Sequence, residues 1–183
     1  MRINQNNRLK MIVIAGIFSA LSIVFGKLLA FNIGELFRIS LENLPIIFIG
    51  MSFGPIWGMA VGAMADLAGC LIVGYTINPI ITLGAISIGA ISGMVAKWTK
   101  SEKIGLRAFL SVFSAHALGS VIIKSFGLSW FYGTDFLSLI PYRALNYALI
   151  VAIEYTIIYI LLKNKEITTI IKRWEMTKYD ELS

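Results

Sequence analysis

The chain has 183 residues, 57% of them hydrophobic and only 14% charged. Soluble proteins carry about 25% charged residues, so a soluble domain of this length is excluded. A span takes roughly 20 apolar residues, and six spans use about 120, which leaves no room for a soluble catalytic or nucleotide-binding domain. The net charge of +6 reads as anchoring on the cytoplasmic side of a membrane, not as nucleic-acid binding.

In chain order, residues 1–10 form a basic tail with Arg2, Arg8 and Lys10. A first span is predicted at 11–31; it is long for the apolar core of a signal peptide. A polar patch at 32–40 carries Glu35 and Arg38. Residues 41–74 then hold only two charges, Glu42 and Asp66. That stretch is too long for one span, and it breaks at Phe53-Gly54-Pro55, because proline cannot continue a helical ladder and disfavours helix in the residue before it. The second helix is therefore short and tilted, and the third follows Pro55. A turn at 74–79 leads to a fourth span at 79–97, and a charged loop to a fifth at 104–126. An aromatic loop at 127–138 precedes the sixth span at 139–162. In the tail at 164–183, Ile167, Ile170, Ile171 and Trp174 share one face beside Lys172 and Arg173, which predicts a helix lying on the interface. The fold class is thus an all-α integral membrane protein, with a compact bundle of six transmembrane helices over 11–163.

Cations set the sidedness. Of the 16 lysines and arginines, all but Lys27, Arg38, Lys124 and Arg143 lie in the two tails or around the loop between spans four and five. Those regions share one side only if the number of spans is even. The positive-inside rule makes that side cytoplasmic, with both termini there. The other four cations then fall in the outward half. Either they snorkel to the interface or they build a cationic pocket for an acidic ligand.

Gly50, Gly54, Gly58 and Gly62 form a stripe spaced by four, as do Ala85, Gly89 and Gly93. Such stripes let helix backbones approach closely in lipid. A third stripe, Gly16 and Ala20, lies in the first span, where both internal packing and docking of another protein's helix remain open. Asp66 and Glu154 are mid-span carboxylates that serve as structural acceptors or as groups for a ligand or proton. His116 is the only histidine and Cys70 the only cysteine, which excludes a disulfide within the chain and argues against a zinc or iron site. Tyr75, Trp130, Phe131 and Tyr132 sit at outward ends, either as an aromatic belt or as a stacking site for a flat heterocycle. No phosphate-binding G-x-x-x-x-G-K-[ST] loop and no hydrolase signature occurs.

Taken together, Phe37-Arg38-Ile39-Ser40, Leu44-Pro45-Ile46, Gly50-Met51-x-Phe53-Gly54-Pro55-x-x-Gly58 and Gly62-Ala63-x-Ala65-Asp66-x-x-Gly69 resemble the substrate-binding S component of energy-coupling-factor (ECF) vitamin importers. Its folate branch is the nearest in pattern. Ile81-Thr82-Leu83 is similar to that branch's F-T-L, and Pro141-x-Arg143 and Ile153-Glu154 match its sixth span. Departures are Asn78-Pro79-Ile80 in place of P-G-F, Asn146 where a lysine commonly stands, and Lys124 and Gly127 where asparagine and tryptophan are usual.

The resemblance implies a subunit that is not an enzyme and carries no cofactor. It would bind folate or a related vitamin outside a bacterial plasma membrane and deliver it with a transmembrane coupling protein and two ATPases. The implied pocket uses Arg38, Arg143, Lys124, Tyr75, Trp130, Tyr132, Thr82 and Asn146, and the implied docking face uses Gly16 and Ala20. The competing reading is a stand-alone, proton-coupled transporter of a small acidic metabolite, with Asp66 or Glu154 as the proton carrier.

Overall fold

Helices dominate the chain, with one short hairpin near the N-terminal end. A computed structural model describes residues 5–33, 37–99 and 103–180, with the side chains of 5–8, 32–38 and 173–180 outside that description. The elements are α1 (Gln5–Lys27), β1 (Phe31–Ile33), β2 (Phe37–Ile39), α2 (Asn43–Phe53), α3 (Pro55–Val73), α4 (Pro79–Trp98), α5 (Ile104–Ser114), a π-helical segment (Ala115–Ile123), α6 (Lys124–Tyr132), α7 (Phe136–Lys163) and α8 (Lys165–Asp180). α5, the π segment and α6 run on as one span, Ile104–Tyr132. The patch that the sequence marked only as polar closes as an antiparallel pair, β1 on β2, with Asn32 opposite Arg38.

Among the described residues, five helices are long and apolar enough to cross a membrane. The sixth apolar passage, α2, has 11 residues, or about 16 Å at 1.5 Å per residue, against a hydrocarbon core of about 30 Å. The break expected at Pro55 explains its length: Gly54 takes φ 100°, and Pro55 opens α3. α2 is enclosed by the other helices, with every residue from Asn43 to Ser52 buried. This continuous burial accounts for its lack of an amphipathic pattern.

Two boundaries differ from the sequence reading. The fifth span continues to Tyr132 and the last one begins at Phe136, so the aromatic loop shrinks to 133–135. The stop lies at Gly133, whose φ of 68° is left-handed, a conformation glycine adopts without steric cost. Asp135 then caps α7, its Oδ2 accepting from the Ser138 amide at 2.9 Å and the Ser138 hydroxyl at 2.6 Å. These bonds hold its carboxyl below the usual range.

The glycine stripes of α3 and α4 face each other. A Cβ added to Gly58 would lie 2.5 Å from the Gly89 carbonyl oxygen, and one on Gly93 2.6 Å from the Gly50 oxygen. The internal-packing role holds for these two stripes. Gly58→Val forces backbone apart, and overpacking costs about 1–3 kcal/mol or more. We expect this variant to lose most folded protein in a detergent thermal-unfolding assay. Gly16→Val is the matched control, because nothing lies within 4 Å of a Cβ there.

The lysines fall in separate local neighbourhoods. A Cβ on Gly54 would lie 3.9 Å from Cε of Lys97, and Lys103 and Lys163 flank one groove. Lys27, Glu42, Asp66 and Lys124 meet in a separate cavity. α8 departs from a purely interfacial helix. Ile167 and Ile171 pack on the bundle core, while Ile170 stays exposed. Trp174 has its side chain outside the described residues.

Candidate binding site

The cavity forms where α1 ends, α2 begins and the long fifth span changes from π to α geometry. Gly26 leaves room for Glu42: a Cβ there would lie 2.9 Å from Glu42 Oε2. The Ser22 hydroxyl donates to the Glu42 carbonyl at 2.5 Å, and the Glu42 amide donates to Ser40 Oγ at 3.3 Å. Glu42 is thereby fixed facing Lys124, the first residue of α6.

Lys124 is only 6% exposed. Its Nζ lies 3.1 Å from Glu42 Oε1 and 3.5 Å from Asn43 Oδ1. A buried ammonium requires such partners, since removing charge from water costs several kcal/mol per ion. Across the cavity, Asp66 of α3 accepts a hydrogen bond from Thr82 Oγ1 at 2.6 Å. Asn78 holds the start of α4: its Oδ1 accepts from the amides of Ile80 and Ile81, and its Nδ2 donates to the Gly127 carbonyl at 3.0 Å. Lys27 also lines the cavity, with its Nζ 4.9 Å from the centre of the Tyr75 ring.

Two cations thus face two carboxylates. The sequence reading emphasised the cations, whereas the structure balances them with Glu42 and Asp66. Ser22, Glu42 and Asn43 were not among the predicted site residues. The available signal was Glu42 itself, one of only two charges in a long apolar stretch. The cavity volume is about 30 Å³, far below the roughly 300–1,000 Å³ of small-molecule pockets. Admitting a drug-sized ligand therefore requires its walls to move apart.

The other predicted residues are placed as follows. Thr82 is buried beside the cavity through Asp66. Trp130 and Tyr132 are 70% and 64% exposed, on the continuation of α6 beyond Lys124. Tyr75 stands at the rim with Lys27. Arg38 lies on β2, with its side chain outside the described residues. Asn146 is half-buried on α7. Arg143 does not line the cavity: its Nη2 and Nε donate to the Ser120 carbonyl at 2.9 and 3.2 Å, and its guanidinium lies over the Tyr147 ring at 5.4 Å.

Ser120 links Arg143 to a second buried group. His116 Nδ1 is 3.1 Å from Ser120 Oγ, and His116 Nε2 is 2.7 Å from Glu154 Oε2. Spacing alone kept Arg143 and Glu154 apart on their shared helix. The π-helical segment joins them indirectly from across the interface. Among the described residues, no group of three or more His, Cys, Asp or Glu side chains is placed to hold a metal.

On α1, Ala15 and Ser19 are buried, whereas Gly16 and Ala20 are exposed. The small face of this helix therefore points away from its own bundle, unlike the stripes of α3 and α4.

The described residues thus form a bundle of apolar helices around a small charged cavity. The family model for the substrate-specific component of ECF transporters matches residues 10–178. The chain belongs to that family, whose members are transport components and not enzymes. A crystal structure of FolT bound with folic acid is 29% identical, with a TM-score of 0.66, over 82% of this chain and 90% of that one. ThiT from Listeria monocytogenes is 22% identical, with a TM-score of 0.67, over 87% of this chain and 96% of that one. An S component for biotin is 15% identical, with a TM-score of 0.66, over 89% and 96% of the two chains. The last two likenesses show the fold alone. An uncharacterized Mycoplasma pneumoniae protein, the MG313 homolog, is 37% identical over 68 residues, which are 37% of this chain and 24% of that protein. The match thus spans about a quarter of that curated relative.

Proposed function

We propose that this subunit binds folate or a closely related vitamin at the outer face of a bacterial plasma membrane. It hands the vitamin inward together with a transmembrane coupling protein and two ATPases. The observation that carries the reading is the small charged cavity around Lys124, in a chain 29% identical to a protein crystallised with folic acid. A folate has a flat pterin rich in donors and acceptors and an anionic glutamate tail. Glu42, Asp66 and Thr82 suit the first. Lys124 and Lys27 suit the second, the rings of Tyr75, Trp130 and Tyr132 suit stacking on the pterin, and Arg38 is a further cation for the carboxylates. Arg143 is assigned to holding Ser120, and Asn146 to the α7 side of the widened pocket.

The match to the substrate-specific component of ECF transporters supports these partners. The sequence carries no G-x-x-x-x-G-K-[ST] loop for binding ATP. The purified chain is expected to bind the vitamin with no ATPase activity. Uptake in cells is expected to require the coupling protein and both ATPases. Uptake driven by this chain alone and dependent on a proton gradient would instead establish the stand-alone transporter.

A further inference from the structure

We propose that the groove between the start of α5 and the end of α7 holds one anionic glycerophospholipid drawn from the leaflet at that end of the bundle. The groove measures about 650 Å³ and is lined by Lys103, Gly105, Phe109, Tyr155, Tyr159 and Lys163, among others. It is separate from the charged cavity and shares no residue with it. The inference does not depend on which vitamin binds.

Its walls are built by spacing. Tyr155, Tyr159 and Lys163 recur every four residues on α7, one above another on a single face. Phe109 meets the Tyr155 ring edge-on at 5.8 Å, and Tyr155 stacks on Tyr159 at 6.0 Å. Gly105 keeps the floor open, since a Cβ there would lie 3.4 Å from Tyr155 Oη and 3.5 Å from the Tyr159 ring.

The polar end is cationic from both sides. Lys103 precedes α5, whose first turn carries no acidic residue and receives no side-chain cap from Lys103. The first amides of a helix favour an anion. Lys163 closes α7, with its Nζ 5.8 Å from the Tyr159 ring centre. Lys97 and Lys165 add positive charge in the flanking segments, against Glu102 and Glu166.

The open side of the groove identifies the occupant. Ile104, Leu106 and Phe109 are exposed along it, where a bilayer places acyl chains. A soluble anion would meet the positive end and leave this apolar length uncovered. A zwitterionic lipid would cover the length but carry no net charge for the lysines. Basic pockets between membrane helices on the cytoplasmic side match anionic headgroups, and tyrosines suit the headgroup level.

The test is native mass spectrometry of the full-length detergent-solubilised chain with added phosphatidylglycerol or phosphatidylcholine. One phosphatidylglycerol per chain should be retained, with at least fivefold preference over phosphatidylcholine. Lys103→Gln with Lys163→Gln should reduce its retention at least fivefold. Gly105→Leu should also reduce it, with every charge in place. Unchanged vitamin affinity in these variants certifies their fold. Equal retention of the two lipids, or unchanged phosphatidylglycerol retention in the double variant, would overturn the proposal. So would displacement of the lipid by millimolar inorganic phosphate, which would mark a simple anion site. Loss of coupling-protein assembly with lipid retention intact would mark a protein interface and overturn it as well.

Discussion

Lys124→Ala is expected to abolish measurable vitamin binding and to lower stability. Lys124 is 6% exposed and lies 3.1 Å from Glu42. Truncation leaves Glu42 and Asp66 facing the cavity with the nearest buried cation gone. Breaking a buried pair costs about 3–5 kcal/mol. Glu42 is 31% exposed, so water recovers part of its solvation and the lower end of that range applies. Removing a desolvated charge that meets a ligand carboxylate costs on the order of 2–5 kcal/mol of affinity, or roughly 30- to 4,000-fold. Isothermal titration and detergent unfolding read the two effects separately. Lys124→Ala paired with Glu42→Gln removes the stranded charge and should restore much of the stability without restoring binding. Normal affinity in Lys124→Ala would remove the cavity from the binding reaction.

Gly16→Leu and Ala20→Leu are expected to stop uptake by the assembled transporter while leaving vitamin binding unchanged. Both residues are exposed on α1, and a Cβ on Gly16 would meet nothing within 4 Å. Neither substitution therefore disturbs the bundle. Each adds bulk to a face on which a partner helix needs close backbone approach. Uptake falling to background beside wild-type affinity is the expected pair of readings. Normal import in both variants would reassign that face to lipid contact.

The short α2, the break at Gly54 and the mutual packing of α3 and α4 were legible because backbone chemistry dictates them. Proline ends a ladder, and glycines spaced by four leave a groove. The two faces of α1 were not separable from sequence. Gly16 and Ala20 have the same spacing as the packed glycines, and only tertiary contacts show which stripe is covered. The cavity was half legible. Lys124 stood out as an outward-half cation, and its burial against Glu42 emerged only when distant segments met. Arg143 carries the same charge and also sits in the outward half, yet it turns to the Ser120 carbonyl. No local signal distinguishes the two, because their environments are set by the π-helical segment. That segment holds no proline, its Gly119-Ser120 pair is only a weak signal, and sequence periodicity read it as ordinary helix. The end of the fifth span was placed early for a related reason. Gly127 suggested a loop, but it packs under Ile80, with a Cβ there only 3.1 Å from that side chain.

Binding of a folate-type vitamin in the charged cavity around Lys124 is tested most directly by titration. Folate is titrated into the purified chain, with thiamine and biotin as controls and Lys124→Ala alongside. Tight, saturable folate binding that disappears in the variant, with no heat from the controls, is the predicted result. Folate failing to bind the wild-type chain while another vitamin binds tightly would contradict the folate assignment. Binding of any vitamin with equal affinity in Lys124→Ala would contradict the cavity itself.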